Sequence, residues 1–213
     1  MRVPKLVARS LVMLLLAAFS GLAAAQIQLN REYTRLDPAQ TPATKDKIEV
    51  IEFFYYGCPI CYELEPALSR WQVMAPDYVR LIRVPVLSAE NWEPFARLFY
   101  ALEATGDLGR LHFPIYDNFH FDGIKLNDEK VMLEWITRNK VDVQKFTEAH
   151  ASEAVKAKVE TARKMMNDYN IRSVPTLVVN GRYVTSARLA GSTRQIPAVL
   201  NQLVEIARKE RGN

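Results

Sequence analysis

The hydrophobic pattern predicts two strands in the first third of the chain. Residues 48–54 (IEVIEFF) are apolar enough to form a central strand that is covered on both faces. Residues 79–86 form a second apolar run, so we expect a second strand there. Upstream, residues 33–36 are expected to form an edge strand and residues 37–47, rich in Pro, Thr and charge, a loop. A helix between the two longer strands is indicated by a shared apolar face: Leu64, Leu68 and Trp71.

From residue 88 to residue 170 the pattern takes a helical period, and no strand is predicted there. Pro114 lies inside the aromatic-rich residues 108–121, so we expect a short helix. Asn127 and Asp142 are predicted to cap the two helices that follow. The last helix of this block has an apolar face at helical spacing: Val155, Val159, Ala162, Met166 and Tyr169. This stripe indicates core packing rather than a cofactor site.

Strands return near the C-terminus. Residues 176–179 and 182–185 are strand-like, and Asn180-Gly181 between them is the strongest short signal for a hairpin turn. A last helix runs through Leu200. The predicted order is therefore strand, helix, strand, helical block, hairpin and helix, which is typical of the α/β class.

The only two cysteines lie where the central strand ends and the first helix begins, in the sequence Cys58-Pro59-Ile60-Cys61. Cys58 takes the N-cap position and Pro59 the first helical position, where its missing N–H is not needed. The free N–H groups of the first helical turn favour a thiolate at Cys58. A disulfide across so small a loop restrains the unfolded chain very little. The motif therefore predicts thiol–disulfide exchange rather than a structural cross-link.

Residues 1–25 indicate export. A basic start with Arg2, Lys5 and Arg9 precedes the apolar residues 11–19, and small residues precede Gln26, as in a cleaved secretory signal. A membrane anchor is the alternative interpretation, but the apolar run is shorter than the roughly 20 residues that a spanning helix requires. We therefore expect a mature chain in an oxidising compartment, where disulfides persist.

The charge of the mature chain argues against a nucleic-acid-binding function. The predicted signal contains three of the 28 basic residues and none of the 24 acidic residues, so its removal lowers the formal net charge from +4 to +1. The remaining basic residues are scattered along the sequence, without the clustering of a nucleic-acid-binding protein. No nucleic-acid partner is expected.

Together these features resemble the DsbA family of periplasmic thiol:disulfide oxidoreductases. The resemblance rests on Glu52-Phe53-Phe54 before Cys58-x-x-Cys61, on Ser173-Val174-Pro175-Thr176, on the Asn180-Gly181 hairpin and on the signal-like start. It implies an α/β, thioredoxin-like fold with an inserted helical domain. Residues 26–87 and 171–213 are then expected to form the thioredoxin-like domain. Residues 88–170 are expected to form the helical insertion, whose last helix is shared with the core.

The resemblance implies that a substrate thiolate attacks Cys58 of the disulfide and that Cys61 is the buried resolving thiol. It also implies that Glu52 exchanges protons with Cys61. Burial beside apolar Val50 and Phe54 is expected to raise the pKa of Glu52, whereas the alternative is a glutamate at the edge of the strand that points at water. The cysteine pair is itself the redox centre, so neither a cofactor nor a metal is expected.

Substrate contacts are implied around the same motif. Pro175 is expected to be the family's cis-proline beside the cysteines, with the Val174 backbone free to pair with an extended peptide. Pro59, Ile60 and Tyr56 are expected to bind substrate, although strand-end packing explains Tyr56 equally well. The implied partners are reduced, unfolded exported proteins and a DsbB-like membrane quinone oxidoreductase that restores the disulfide. The protein is expected to be a monomer.

Ile60 departs from the commonest pattern of the family, which has histidine before the second cysteine. Histidine helps to stabilise the thiolate, whereas isoleucine neither donates a hydrogen bond nor carries charge. We therefore expect a Cys58 pKa below that of a free thiol, but a weaker oxidant than the histidine-bearing relatives.

Other functions for the cysteines remain open from the sequence. A zinc or copper site requires more ligands, and His112, His120 and His150 are scattered without ligand spacing. A disulfide reductase or isomerase is the alternative within redox chemistry, but residues 26–47 leave no room for the dimerisation domain that dimeric isomerases carry before the redox domain. A chaperone-like function, with the aromatic helical segments as a client surface, stays open as an accessory role.

Overall fold

A five-stranded mixed sheet is the framework of the computed structural model, which describes residues 26–212. The predicted signal at residues 1–25 lies outside the described residues. The strands are Thr34–Arg35 (β1), Ile48–Phe54 (β2), Val79–Pro85 (β3), Thr176–Val179 (β4) and Tyr183–Ser186 (β5). Across the sheet they follow the order β1-β5-β4-β2-β3.

Strand β2 lies inside the sheet and is buried along its whole length, as its apolar pattern predicts. It pairs in parallel with β3 and antiparallel with β4. The hairpin between β4 and β5 turns at Asn180 and Gly181, whose φ angles are 54° and 65°. Two successive positive φ angles are typical of the type I′ turn that this dipeptide predicts.

The helices within residues 26–212 fall into three groups. One follows β2, namely Pro59–Met74 (α1). Five lie between β3 and β4, namely Glu93–Thr105 (α2), Leu108–His120 (α3), Glu129–Arg138 (α4), Val143–Ala151 (α5) and Glu153–Asp168 (α6). Two follow β5, namely Ala187–Ala190 (α7) and Ile196–Glu210 (α8), and short 3-10 turns occur at Glu90–Trp92 and Thr193–Gln195.

The apolar residues of β2 divide between two buried clusters, with Ile48 and Val50 in one and Ile51, Phe53 and Phe54 in the other. Val50 lies in one cluster with Leu64 of α1 and Leu200 of α8. Phe53 lies in the other cluster with residues of the helices between β3 and β4, such as Trp135. Packing on both faces fixes the end of β2, and with it the turn that carries the first cysteine.

The helix predicted over residues 108–121 is longer than expected. Helix α3 continues through Pro114 and spans 13 residues, so the prediction of a short helix is wrong. Leu111, Ile115 and Tyr116 are buried on one face of α3. Their packing outweighs the single backbone hydrogen bond that the proline removes.

The predicted helix caps are partly correct. Asp142 caps α5 as expected and accepts a hydrogen bond from the Lys145 N–H. The cap of α4 is Asp128, one residue after the predicted Asn127, and its carboxylate accepts from the Val131 N–H. Of the helices in residues 26–212, none has the length and apolarity needed to cross a bilayer.

Candidate active site

Cys58 lies between the end of β2 and the start of α1, where it is the N-cap residue of the helix (φ −88°, ψ 116°). The backbone N–H of Cys61 donates a hydrogen bond to the Cys58 Sγ at 3.3 Å. Both cysteines are free thiols, and Cys58 is partly exposed whereas Cys61 is fully buried. A substrate thiol therefore reaches the first cysteine and not the second.

Hydrogen bonding lowers the pKa of Cys58 from the ordinary 9.0 to about 6. The largest cause is the hydrogen bond with the Cys61 side chain. Burial opposes it, and the backbone N–H groups of Cys61 and Ile60 lower the pKa further. These N–H groups belong to the first turn of α1, at the positive end of the helix dipole. At neutral pH the reduced protein thus carries a thiolate at its exposed sulfur, as the N-cap position predicts.

The Cys61 thiol has the opposite environment. Burial raises the pKa of Cys61, and the hydrogen bond to Cys58 and the charge of the Cys58 thiolate raise it further. Only one of the two sulfurs is therefore an anion at neutral pH. Whenever Cys61 leaves a disulfide as a thiolate, it needs a proton.

The loop before β4 approaches the exposed cysteine. The Val174–Pro175 peptide bond is cis, as the Ser173–Thr176 motif predicts. The Val174 carbonyl oxygen lies 3.5 Å from the Cys58 Sγ and accepts a weak hydrogen bond from it when the sulfur is protonated. Pro175 is buried and Val174 is half-buried. A second cis bond, Asp37–Pro38, was not expected from the sequence.

A groove with a volume of about 840 Å³ lies along this loop. Its lining comes from the first turn of α1, the end of β1, the loop before β4 and helix α7. Apolar side chains on several of these elements line it: Leu36, Ile60, Ile171, Val174, Pro175 and Leu189. The groove is thus a mixed apolar and polar surface next to the reactive cysteine, of the kind that accommodates an extended peptide.

Glu52 is fully buried in β2, opposite Arg83 in the parallel register with β3. The Arg83 Nε lies 3.3 Å from the Glu52 Oε2, and the Arg83 Nη2 donates to the Glu65 Oε1 at 2.9 Å. Burial raises the pKa of Glu52 to about 8; the charge of Glu65 also raises it, and Arg83 opposes both effects. The expected raised pKa is confirmed, and the alternative of a glutamate that points at water is excluded.

Glu52, Arg83 and Glu65 form a buried polar cluster, which two aromatic side chains extend. The His112 Nε2 lies 3.4 Å from the Glu65 Oε2, and the His112 Nδ1 lies 2.7 Å from the Tyr56 hydroxyl oxygen. Burial lowers the pKa of His112, which favours a neutral ring that accepts from Tyr56 and points its N–H at Glu65. Burial raises the pKa of Glu65, but contacts with His112, Arg83 and Ser69 outweigh burial and leave that pKa lowered.

Sequence reasoning did not identify Arg83, Glu65 or His112 as members of the site. A signal existed for two of them. Arg83 interrupts the apolar run of residues 79–86, and Glu65 shares the buried face of α1 with Leu64. A charged residue at a position that the pattern assigns to the core requires a partner. His112 carries no such signal, because its partners lie on β2, α1 and the turn between them.

Tyr56 does not line the groove, so its predicted role in substrate binding is wrong. The side chain is fully buried. Its ring packs against Phe54, with ring centroids 5.1 Å apart, and its hydroxyl bonds with His112. Pro59 and Ile60 are exposed, Ile60 at 42%, and Ile60 lines the groove.

Within residues 26–212, the His, Cys, Asp and Glu side chains form no cluster of three that suits a metal ion. The three histidines lie in different surroundings. His112 belongs to the cluster with Glu65, the His120 Nε2 lies 2.8 Å from the Tyr56 carbonyl oxygen, and His150 stacks on Phe146. Each histidine thus has its own packing or hydrogen-bonding partner.

Comparison with known proteins points to one family. The model of the DSBA-like thioredoxin domain matches residues 82–197. The thiol:disulfide interchange protein DsbA of Azotobacter vinelandii is 37% identical over 185 residues, which is 87% of this chain and 86% of that protein. The protein of the same name from Pseudomonas syringae pv. tomato is 31% identical over 200 residues, or 94% of each chain.

Solved structures agree with the sequence comparison. Pseudomonas aeruginosa DsbA superposes with a TM-score of 0.83 at 30% identity, over 88% of this chain and 97% of that one. Reduced DsbA1 from Neisseria meningitidis superposes with a TM-score of 0.80 at 26% identity, over 88% of this chain and 98% of that one. The predicted thioredoxin-like fold with a helical insertion is therefore confirmed.

Proposed function

The chain belongs to the DsbA family of thiol:disulfide oxidoreductases, and from this premise we propose that it is a periplasmic oxidase that donates the Cys58–Cys61 disulfide to cysteine pairs of newly exported proteins. One observation carries the proposal. The exposed sulfur is the N-cap of α1, with a pKa of about 6, whereas its partner is buried with a raised pKa. A stabilised Cys58 thiolate favours the reduced dithiol over the disulfide, so the disulfide oxidises its substrates.

In the first step a substrate thiolate attacks the Cys58 sulfur. The Cys58–Cys61 bond breaks, a mixed disulfide forms between Cys58 and the substrate, and Cys61 leaves with the electron pair as a thiolate. In the second step another substrate thiolate attacks the substrate sulfur of the mixed disulfide. The substrate departs with its own disulfide, Cys58 leaves as a thiolate, and the cysteine pair has gained two electrons.

We assign to Glu52 the transfer of a proton to and from Cys61. Its pKa of about 8 keeps most of the carboxyl protonated at neutral pH, and it interacts electrostatically with Cys61. A protonated Glu52 supplies the proton that the departing Cys61 thiolate needs, and recovers it when the disulfide forms again.

Substrate binding is assigned to the residues around the exposed cysteine. The Val174 backbone beside cis-Pro175 pairs with an extended peptide, and the exposed Pro59 and Ile60 contact its side chains. The 3.5 Å distance from the Val174 carbonyl to the Cys58 Sγ supports this assignment, because a peptide held there presents its cysteine to the sulfur.

The cellular setting follows from the same proposal. Residues 1–25 act as the cleaved signal for the periplasm. Residues 26–87 and 171–213 form the thioredoxin-like domain, and residues 88–170 form the helical domain. The monomer meets reduced, unfolded proteins and passes two electrons and two protons from its dithiol to a DsbB-like membrane quinone oxidoreductase. The cysteine disulfide is the only redox group that this cycle needs.

The test uses the oxidised protein and a reduced peptide with two cysteines, with mass spectrometry to follow peptide disulfide and protein thiols. We expect one peptide disulfide for each Cys58–Cys61 disulfide consumed. The Cys61→Ser variant, loaded on Cys58 with a peptide that has a single cysteine, should keep its peptide, because neither Cys61 nor a second peptide thiol can attack the mixed disulfide. Cys58→Ser should give no exchange. Faster reduction of insulin than oxidation of the peptide would instead indicate a reductase. Peptide binding that is unchanged in a double Cys→Ala variant, together with no peptide oxidation by the parent, would leave only a binding function.

A further inference from the structure

We propose that the groove beside Cys58 selects acidic segments of its substrates, through a triad of arginines that we call the groove arginines: Arg35, Arg172 and Arg188. The inference rests on the proposed function and adds a substrate class to it. The partner is an unfolded polypeptide that carries Asp or Glu within a few residues of a reactive cysteine.

The groove is lined by more basic than acidic side chains. The three groove arginines are exposed, and the one acidic residue in the lining is Asp37. In the described part of the chain, none of the groove arginines forms an ion pair. Their charge is therefore not neutralised within the protein and is open to a ligand.

The groove arginines come from three separate elements that converge on one surface. Arg35 ends β1, Arg172 lies two residues before Val174 in the loop before β4, and Arg188 belongs to α7. A sequence analysis cannot detect this convergence, since the three positions are scattered along the chain. In the fold all three line the groove that also contains Val174, whose carbonyl oxygen approaches the Cys58 sulfur.

The apolar part of the lining makes a peptide a better occupant than a small anion. Leu36, Ile60 and Leu189 line the same groove. Apolar side chains of a bound peptide can therefore pack against them, while its carboxylates pair with the guanidinium groups. Arginine suits this role because its planar donors match a carboxylate in two hydrogen bonds. An acidic segment that also carries apolar side chains satisfies both parts of the surface.

Exposed ion pairs are weak one at a time, and salt screens them. With up to three pairs and electrostatic steering of the encounter, we expect a rate advantage of about threefold to tenfold at low salt. This is large enough to rank substrates and too small to exclude any of them.

The experiment compares three peptides with the same cysteine pair and with Glu, Gln or Lys at the flanking positions. The second-order rate constant for reduction of the Cys58–Cys61 disulfide is measured at about 0.02 M and about 0.5 M salt. Acidic flanks also change the thiol pKa of the peptide. Each rate is therefore divided by the rate of the same peptide with a small uncharged disulfide.

The variant Arg35→Gln/Arg172→Gln/Arg188→Gln removes the groove charge. Its matched control, Arg70→Gln/Arg80→Gln/Arg138→Gln, removes the same net charge from exposed positions outside the groove. We expect the Glu:Lys ratio of normalised rates to fall to about one in the groove variant and to stay high in the control.

The outcomes are distinguishable. A Glu:Lys ratio that is high at low salt, falls at high salt and depends on the groove arginines supports the inference. Equal rates for the three peptides, or an equal fall of the ratio in both variants, would overturn it while leaving the oxidase function intact. No oxidation of any peptide would overturn the proposed function, and the inference with it.

Discussion

The backbone N–H of Cys61 donates to the Sγ of Cys58 at 3.3 Å, so the buried cysteine helps to hold the exposed one as an anion. The same residue also contributes the largest single effect, through the hydrogen bond of its side chain. The two cysteines are thus unequal before any substrate arrives. Their different pKa values set the direction of exchange.

Alkylation of the reduced protein should report this inequality directly. With a Cys58 pKa of about 6, the rate of reaction with iodoacetamide should rise with pH around a midpoint near 6, because the thiolate is the nucleophile. Only Cys58 should react in the folded protein, since Cys61 is buried. Cys58→Ser is the control. A midpoint near that of a free thiol would show that the helix start does not stabilise the anion.

The reduced protein should gain stability over the oxidised protein as pH rises. The Cys58 pKa is depressed from 9.0 to about 6 on folding, so its contribution is complete above pH 9 and is lost as pH falls toward 6. The oxidised form has no thiolate and lacks this dependence. Thermal unfolding of both forms from pH 5 to pH 9 measures the difference. A constant difference in Tm across this range would contradict the assigned pKa.

Ile60→His should make the protein a stronger oxidant. The side chain at this position is 42% exposed and its N–H is one of the groups that lower the Cys58 pKa. An imidazole there adds a donor and a partial positive charge beside the thiolate. Each unit of Cys58 pKa corresponds to about 30 mV in the reduction potential of a two-electron couple, and we expect a rise of about that size.

Equilibration with glutathione measures the potential of the parent and of Ile60→His. Ile60→Asn is the control, because it adds a polar side chain without a titratable group. An equal rise of the reduction potential in both variants would mean that the polarity of the side chain, and not its charge, causes the rise. No rise in Ile60→His would refute the expected role of the residue before the second cysteine.

The local features of the site were predictable from the sequence. Cys58 as N-cap, the hairpin at Asn180-Gly181 and the burial of β2 depend on residues close to one another in the chain, where propensity and pattern act directly. The cis bond at Pro175 was predicted only through the resemblance, since the sequence around an X-Pro bond otherwise favours trans.

The buried polar cluster was not predictable in the same way. Glu52 and Arg83 face each other only because β2 and β3 pair in one particular register, and no sequence pattern specifies a parallel register. The sequence predicts a groove position for Tyr56 because it adjoins the motif, whereas in the fold Phe95 of α2 and Tyr116 of α3 pack against its ring. The length of α3 through Pro114 has the same origin. In each case tertiary packing overrides a local signal.

Glu52→Gln should stabilise the protein at high pH and alter the pH dependence of exchange. The pKa of Glu52 is raised from 4.5 to about 8 on folding. Its contribution is therefore complete below pH 4.5 and is lost as pH rises through 8. Glutamine cannot ionise, and Glu65 still pairs with Arg83. We expect the variant to be more stable than the parent by about 1–3 kcal/mol at pH 9, with a smaller difference at pH 5.

The same variant should lose the part of the exchange pH profile that titrates near 8, because the proton donor to Cys61 is missing. Glu49→Gln is the matched control. Glu49 is also a buried glutamate of β2, but it accepts hydrogen bonds from the Ala43 and Thr44 N–H groups rather than facing Arg83. An unchanged profile in Glu52→Gln would remove Glu52 from the proton pathway and leave it as a structural charge.

The contact between Tyr56 and His112 should contribute to stability as a coupled pair. His112→Leu leaves the Tyr56 hydroxyl and the nearby Glu65 Oε2 without the imidazole, so we expect a loss of about 1–3 kcal/mol in the free energy of unfolding at pH 7.5. Tyr56→Phe should lose about 1 kcal/mol. Because the hydroxyl and the ring nitrogen lie 2.7 Å apart, the double variant should lose less than the sum of the two.

The pH dependence identifies which protonation state the cluster requires. The His112 pKa lies below 6.5 in the folded protein, so its contribution is present above pH 6.5 and is lost as pH falls through the lowered pKa. The pKa of Glu65 is lowered from 4.5, so the stability that its carboxylate contributes is lost only as pH falls below 4.5, outside this range. The stability difference between the parent and His112→Leu should therefore shrink as pH falls from 7 to 5. If the difference grew instead, His112 would be bound as an imidazolium paired with Glu65, and the neutral ring assigned to this cluster would be wrong.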